Sequence, residues 1–243
     1  MNKVFVCFTC ERDLMLLQLH CDAIHKAIPD AKVYYVFEDD EEGKVDAPLN
    51  GIKVFATFKH NGNLIGKDCH TGMLDTMRTI SEANNNANII KIDSDVIFIN
   101  DEWLNTLGNV YDMVGTATMN GYYCKGTCYG MTHDLICKVL DYCGNDYIDL
   151  YGRIEDGTIT MISAIVSEPN KVKILNTVNE DASVVYACAF RHEFYSTPEA
   201  IKNISGFIDC GDSTYTKYYI DSNLPVHCAK QRAMSFVMNN LGE

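Results

Sequence analysis

The stretch Asn88-Ile89-Ile90-Lys91-Ile92-Asp93-Ser94-Asp95-Val96-Ile97-Phe98-Ile99 decides how this chain is read. Asn88 to Asp93 reads as a buried strand, with isoleucines on both faces at 89, 90 and 92, as in a parallel strand covered on both sides. A short polar break follows, and then a second apolar segment, Val96 to Ile99. Two carboxylates, Asp93 and Asp95, thus stand one residue apart where a buried strand ends. In an open α/β sheet, ligands collect outside the carboxyl ends of the strands. Paired carboxylates there suit a hard divalent cation, Mn²⁺ or Mg²⁺, bound together with waters and substrate phosphates. With 21 aspartates in 243 residues, about two Asp-x-Asp triplets are expected by chance, and the sequence has this one. Its weight comes from the apolar flanks, which shield the carboxylates and oblige them to find partners.

Upstream, Lys3 to Thr9 has the same two-sided apolar character and predicts a first buried strand. Leu14, Leu17, Cys21, Ile24 and Ile28 recur at spacings of three and four, an amphipathic helix that Pro29-Asp30 ends. Lys32 to Phe37 and Ile52 to Ala56 read as strands, and Met73, Met77 and Ile80 mark a second helix. Downstream, Asp112 to Thr116 reads as a strand, and Leu135, Ile136, Val139 and Leu140 lie on a helix. Ile159, Ile162, Ile165 and Val166 predict another helix, starting near Glu155. Val172 to Leu175 and Val184 to Phe190 look extended, and Ala229 to Asn240 reads as a short helix. Gly121 to Gly130, rich in glycine and tyrosine and without period, reads as a pocket-lining loop, and Arg191 to Tyr195 as a second polar and aromatic cluster. The first 115 residues alternate strand and helix, which predicts an α/β fold with a mostly parallel, Rossmann-like sheet flanked by helices; the second half is more mixed. No linker composition or internal repeat divides residues 1–243, so one unit is expected.

Composition narrows the function. Hydrophobic residues make up 47% and charged residues 22%, values of an ordinary folded chain. The net charge of −13 disfavours nucleic acid as a partner and leaves it only a local basic groove. Eleven cysteines are scattered, and only Cys7 and Cys10 have C-x-x-C spacing, so free thiols in a reducing compartment are expected rather than zinc or disulfides. The N-terminus has no signal-peptide pattern and no run of 18 apolar residues occurs, so no membrane span and a cytoplasmic location are expected. The turn after the first strand, Thr9-Cys10-Glu11-Arg12, lacks the glycines of a dinucleotide fingerprint. Gly62 to Asp68 fails the P-loop in spacing and final residue.

At Asp93-Ser94-Asp95 and its strand context the chain resembles the nucleotide-sugar-dependent glycosyltransferases of the GT-A fold. The resemblance runs in order over roughly residues 3–230. It implies that residues 1–115 form the nucleotide-sugar-binding half and residues 116–243 the acceptor-binding half of one glycosyltransferase domain. It implies that Thr9 and Arg12, after the first strand, and Lys67, at Gly66-Lys67-Asp68, contact the donor. Asp93 and Asp95 would hold Mn²⁺ or Mg²⁺ with the donor diphosphate, and His227, in Asn223-Leu224-Pro225-Val226-His227, would be a further metal ligand. The acidic pair Glu155-Asp156 resembles the one the family places at a helix start beneath the acceptor, so Asp156, or else Glu155, would be the general base. The expected partners are a nucleotide-sugar, most simply a UDP-sugar, and a hydroxyl acceptor: a glycan, a lipid-linked sugar, a protein or a modified nucleobase. Two rival readings use the same residues: a nucleotidyltransferase that makes a nucleotide-sugar, and a sugar- or nucleotide-binding module without catalysis.

Overall fold

The computed structural model describes residues 3–58, 66–117, 124–146, 155–175, 201, 206–211 and 223–241, with the side chains of residues 117, 125, 146 and 156 outside that set. Strands β1 (Val4–Phe8), β2 (Lys32–Glu38), β3 (Ile52–Ala56), β4 (Ile89–Ile92), β6 (Met113–Ala117), β7 (Cys124–Met131) and β8 (Val172–Leu175) form one sheet in the order β3-β2-β1-β4-β7-β6-β8. All neighbouring pairs are parallel except the two that β7 makes, with β4 and with β6. This is the mostly parallel α/β sheet expected. A separate antiparallel ribbon joins β5 (Val96–Phe98) to β9 (Phe207–Asp209), with Val96 opposite Asp209.

The alternation of side chains along each strand distributes the core over both faces. Val4, Val6 and Phe8 of β1 pack with Met73, Met77 and Ile80 of α2 (Lys67–Ala83), Leu135 and Val139 of α3 (His133–Asp146), and Ile159 and Ile162 of α4 (Glu155–Val166). Phe5 and Cys7 face the other way, onto Leu17, Cys21 and Ile24 of α1 (Leu14–Ala27). A third cluster joins Leu16 and Ala23 of α1 and Ile97 of β5 to Ala233, Met234 and Val237 of the last helix, α5 (Val226–Asn240). Among the described residues no helix is long and apolar enough to cross a membrane.

Two expectations are revised, the loop over 121–130 and the start of the last helix. The segment read as a loop over 121–130 is, from Cys124 onward, strand β7 at the centre of the sheet. Its glycines are there for space: a Cβ at Gly130 would stand 2.5 Å from a Leu107 methyl, and one at facing Gly115 2.7 Å from the Cys124 sulfur. Helix α2 begins at Lys67, after Gly66 at φ 95°, well before the first residue of its apolar stripe. Helix α5 begins at Val226, which puts His227 in its first turn. The segments read at 184–190 and 191–195 lie outside the described residues.

Candidate functional site

The carboxyl ends of β1, β2 and β4 open on one edge of the sheet. Because β7 runs against its neighbours, its first residues reach the same edge. The Asp93 amide donates to the Thr127 carbonyl at 2.9 Å, and the Val96 amide to the Asp93 carbonyl at 3.3 Å, so Asp93-Ser94-Asp95 is a tight turn between β4 and β5. The Cys210 amide donates to the Asp95 carbonyl at 2.9 Å, which ties the turn to the end of β9.

Both triplet carboxylates are paired with ammonium groups. Lys91 Nζ donates to Asp93 Oδ1 at 2.7 Å, and Lys230 Nζ of α5 to Asp95 Oδ2 at 2.7 Å. A third carboxylate, Asp209, accepts from the Thr127 hydroxyl at 3.1 Å and from the Gly211 amide at 2.9 Å. Burial pushes the Asp93 carboxyl up to about 6; Lys91 works against that rise, and Glu155 and Asp209 add to it. Asp95 is also pushed up to about 6, by burial and then by Asp209, with Lys230 opposing. Four carboxylates, Asp93, Asp95, Asp209 and Glu155, thus share the crevice with two ammonium groups, and negative charge is in excess when all are ionised.

The other expected residues are placed as follows. Thr9 is buried at the end of β1; its amide donates to the Val36 carbonyl at 2.9 Å, and its hydroxyl oxygen has no hydrogen-bond partner among the described residues. Arg12 lies in the 3₁₀ turn Glu11–Asp13 and lines a polar hollow of about 320 Å³ with Cys10, Glu38, Asp40, Glu41 and Lys44. Glu38 Oε1, at the end of β2, is likewise buried without a partner among the described residues. Lys67 opens α2 and donates to the Gly144 carbonyl of α3 at 3.3 Å, not to the aspartate turn. His227 Nδ1 stands 3.4 Å from Asp13 Oδ1, and the other oxygen of Asp13 accepts from the Ser94 hydroxyl at 3.0 Å, so His227 reaches the triplet through Asp13. Glu155 is buried with both oxygens engaged: Tyr129 Oη donates to Oε1 at 2.5 Å, and Lys91 Nζ stands 3.4 Å from Oε2. Asp156 is the second residue of α4, and its side chain lies outside the described set.

Among the described residues no three His, Cys, Asp or Glu side chains are grouped to enclose a metal ion. The oxygens that Asp93 and Asp95 do not commit to lysine are hard donors. They fit a cation that keeps waters and ligand phosphates in most of its shell, which needs only one or two carboxylates.

Sequence reasoning missed Lys91, Tyr129, Asp209 and Lys230. Lys91 had a usable signal: a lysine between Ile90 and Ile92 in a strand buried on both faces must be buried, and a buried ammonium needs a carboxylate. Asp209 and Lys230 had none, because their role depends on a ribbon and a helix that fold back from far along the chain.

No family model and no curated protein matches the sequence. Among solved structures, the chain is similar to the apo form of the glycosyltransferase GlyE of Streptococcus pneumoniae TIGR4, at 10% identity and a TM-score of 0.46. The similarity covers 73% of this chain and 46% of that one, so the chain spans less than half of GlyE's length.

Proposed function

We propose that the chain is a glycosyltransferase that moves a sugar from a nucleoside diphosphate, in the first instance UDP, to a hydroxyl acceptor with the help of Mn²⁺ or Mg²⁺. The observation that carries this reading is the Asp93–Asp95 turn at the carboxyl edge of the parallel sheet, where Asp93, Asp95, Asp209 and Glu155 face only the ammonium groups of Lys91 and Lys230 among the described residues. Such a turn favours a ligand that brings cations to it, and a metal-bound diphosphate is one.

The neighbouring edge suits the nucleoside. The hollow beside Arg12 adjoins the ends of β1 and β2, and Thr9 Oγ1 and Glu38 Oε1 offer polar atoms that nothing among the described residues satisfies. Ribose hydroxyls or base N–H groups would complete them. A divalent cation at Asp93 and Asp95 supplies Lewis-acid stabilisation of the leaving diphosphate, whose charge grows as the anomeric bond breaks. The acceptor hydroxyl must lose a proton to a carboxylate within hydrogen-bond reach. Both oxygens of Glu155 are engaged, so this role goes to Asp156.

The test is donor hydrolysis. The chain is incubated with a panel of nucleotide-sugars under Mn²⁺, Mg²⁺ or chelator, and released nucleoside diphosphate is measured. Release from one donor that depends on the cation supports the reading and names the sugar. Release of inorganic diphosphate from a sugar phosphate and a nucleoside triphosphate would assign nucleotidyl transfer instead. No turnover, together with no cation-dependent binding of UDP, would set the reading aside.

A further inference from the structure

We infer that Lys91 is a positioning residue for the transfer reaction, a single buried ammonium that aligns the donor-side carboxylate Asp93 and the acceptor-side helix α4 on one another. The inference rests on the transferase reading above.

Lys91 sits on the middle strand of the sheet, opposite Val6 of β1 on one side and Tyr129 of β7 on the other. It is 1% exposed. An ammonium has three N–H donors. Here three acceptors surround it: Asp93 Oδ1 at 2.7 Å, the Gly126 carbonyl at 2.5 Å and Glu155 Oε2 at 3.4 Å. Its four-carbon stem lies on the face of the sheet that α2, α3 and α4 cover, and Nζ is 5.8 Å from the centre of the Tyr129 ring. Tyr129 in turn holds the other oxygen of Glu155. Burial opposes the charge, yet Asp93 and Glu155 raise the ammonium's pKa, so it remains protonated.

The three contacts belong to three different parts of the crevice. Asp93 directly follows β4, Gly126 is the third residue of β7, and Glu155 is the first residue of α4. With Oδ1 tethered, the Asp93 carboxylate is restrained; its side chain is 38% exposed, so a ligand can reach it. With Glu155 clamped, the backbone that carries Asp156 is fixed against the same point. A sub-ångström relation between donor and base is what an oriented displacement needs, and about 1 Å of slack costs on the order of 100-fold in rate.

Lys91→Met alone would strand two carboxylates, and the loss of a partner from a buried pair is strongly destabilising. The informative comparison is therefore Glu155→Gln against Lys91→Met/Glu155→Gln in the full chain. Gln keeps an acceptor for Tyr129, and the double variant leaves only the partly exposed Asp93 without its cation. Three quantities are measured: melting temperature, affinity for UDP with Mn²⁺, and kcat and KM for hydrolysis of the UDP-sugar that the unaltered chain turns over fastest. The expected result is a folded double variant with kcat at least tenfold below Glu155→Gln, while KM and UDP affinity stay within about threefold. Equal kcat in the two variants would overturn the inference and leave Lys91 a neutraliser of Glu155. A loss confined to KM would also overturn it, since positioning acts on the transition state. An unaltered chain that neither binds UDP nor hydrolyses any donor would overturn the transferase reading, and this inference with it.

Discussion

Gly211 follows β9 by two residues and touches the aspartate turn edge-on. A Cβ added there would lie 2.3 Å from Asp95 Oδ2, 2.9 Å from Asp95 Cγ and 3.2 Å from Asp209 Oδ1. Ordinary contact begins at 3.4 Å, so Gly211→Ala requires the Asp95 carboxylate to retreat by about 1.1 Å. That carboxylate is held by Lys230 at 2.7 Å, and a retreat of this size takes the pair out of hydrogen-bond range. Overpacking of this kind costs about 1–3 kcal/mol. In a domain of this size that corresponds to a drop of roughly 2–12 °C in melting temperature, at about 2–4 °C per kcal/mol. Turnover should fall further than stability does, by on the order of 100-fold for a carboxylate displaced by about 1 Å. The assay pairs a thermal scan with cation-dependent donor hydrolysis at saturating donor. Gly144→Ala makes the same chemical change on α3, where a Cβ meets nothing within 4 Å, and serves as the control. If Gly211→Ala melts and turns over like the unaltered chain, the Asp95 carboxylate is not held where the structure has it, and the argument from its position fails.

Gly144→Ala itself should stabilise the protein by about 0.4–1 kcal/mol, by restricting the unfolded chain at a helical position; a lower melting temperature would contradict this. Asp95→Asn should abolish cation-dependent hydrolysis and leave the fold intact, because Asn keeps the shape and an acceptor for Lys230 and removes the charge. Turnover near that of the unaltered chain would remove Asp95 from the site. Burial lowers His20, whose Nδ1 lies 2.8 Å from Tyr35 Oη, to about 3. Its unfolded form takes a proton near 6.5, so between pH 6.5 and 3 the unfolded state binds more protons and the His20 contribution to stability is lost as pH falls. His20→Phe should flatten the decline in stability measured by urea titration from pH 7 to pH 4; parallel declines in the two proteins would refute it.

The elements that a reader can find in the sequence are those whose partners are local or whose two faces are both apolar. Strands β1 and β4, the stripe on α1 and the start of α4 at Glu155 all follow from period alone. Strand β7 escapes because Cys-Lys-Gly-Thr-Cys-Tyr-Gly-Met has a loop's composition. Its small residues answer to Leu107 and to facing β6, contacts that no window of sequence contains. The site divides in the same way. Asp93 and Asp95 are legible because apolar strands bracket them. Their counter-ions are not, since Lys230 lies 135 residues from Asp95 and Glu155 lies 64 from Lys91. Arg12 and Lys67 have the right chemistry for a donor, and the structure ties Lys67 to Gly144 instead of to the turn.

The Lys230–Asp95 contact also sets a timetable for the ribosome. Asp95 leaves the tunnel 135 residues before the ammonium that will neutralise it. At about 5–20 residues per second, that interval lasts roughly 7–27 s. Through it, β1 to β4 can assemble while the acidic turn has Lys91 beside it and no α5 to close over Asp95. The nascent chain therefore carries an open, negatively charged crevice until nearly its last helix has been made, and a ribosome that stalls before residue 226 displays a sheet already built around a centre that is not.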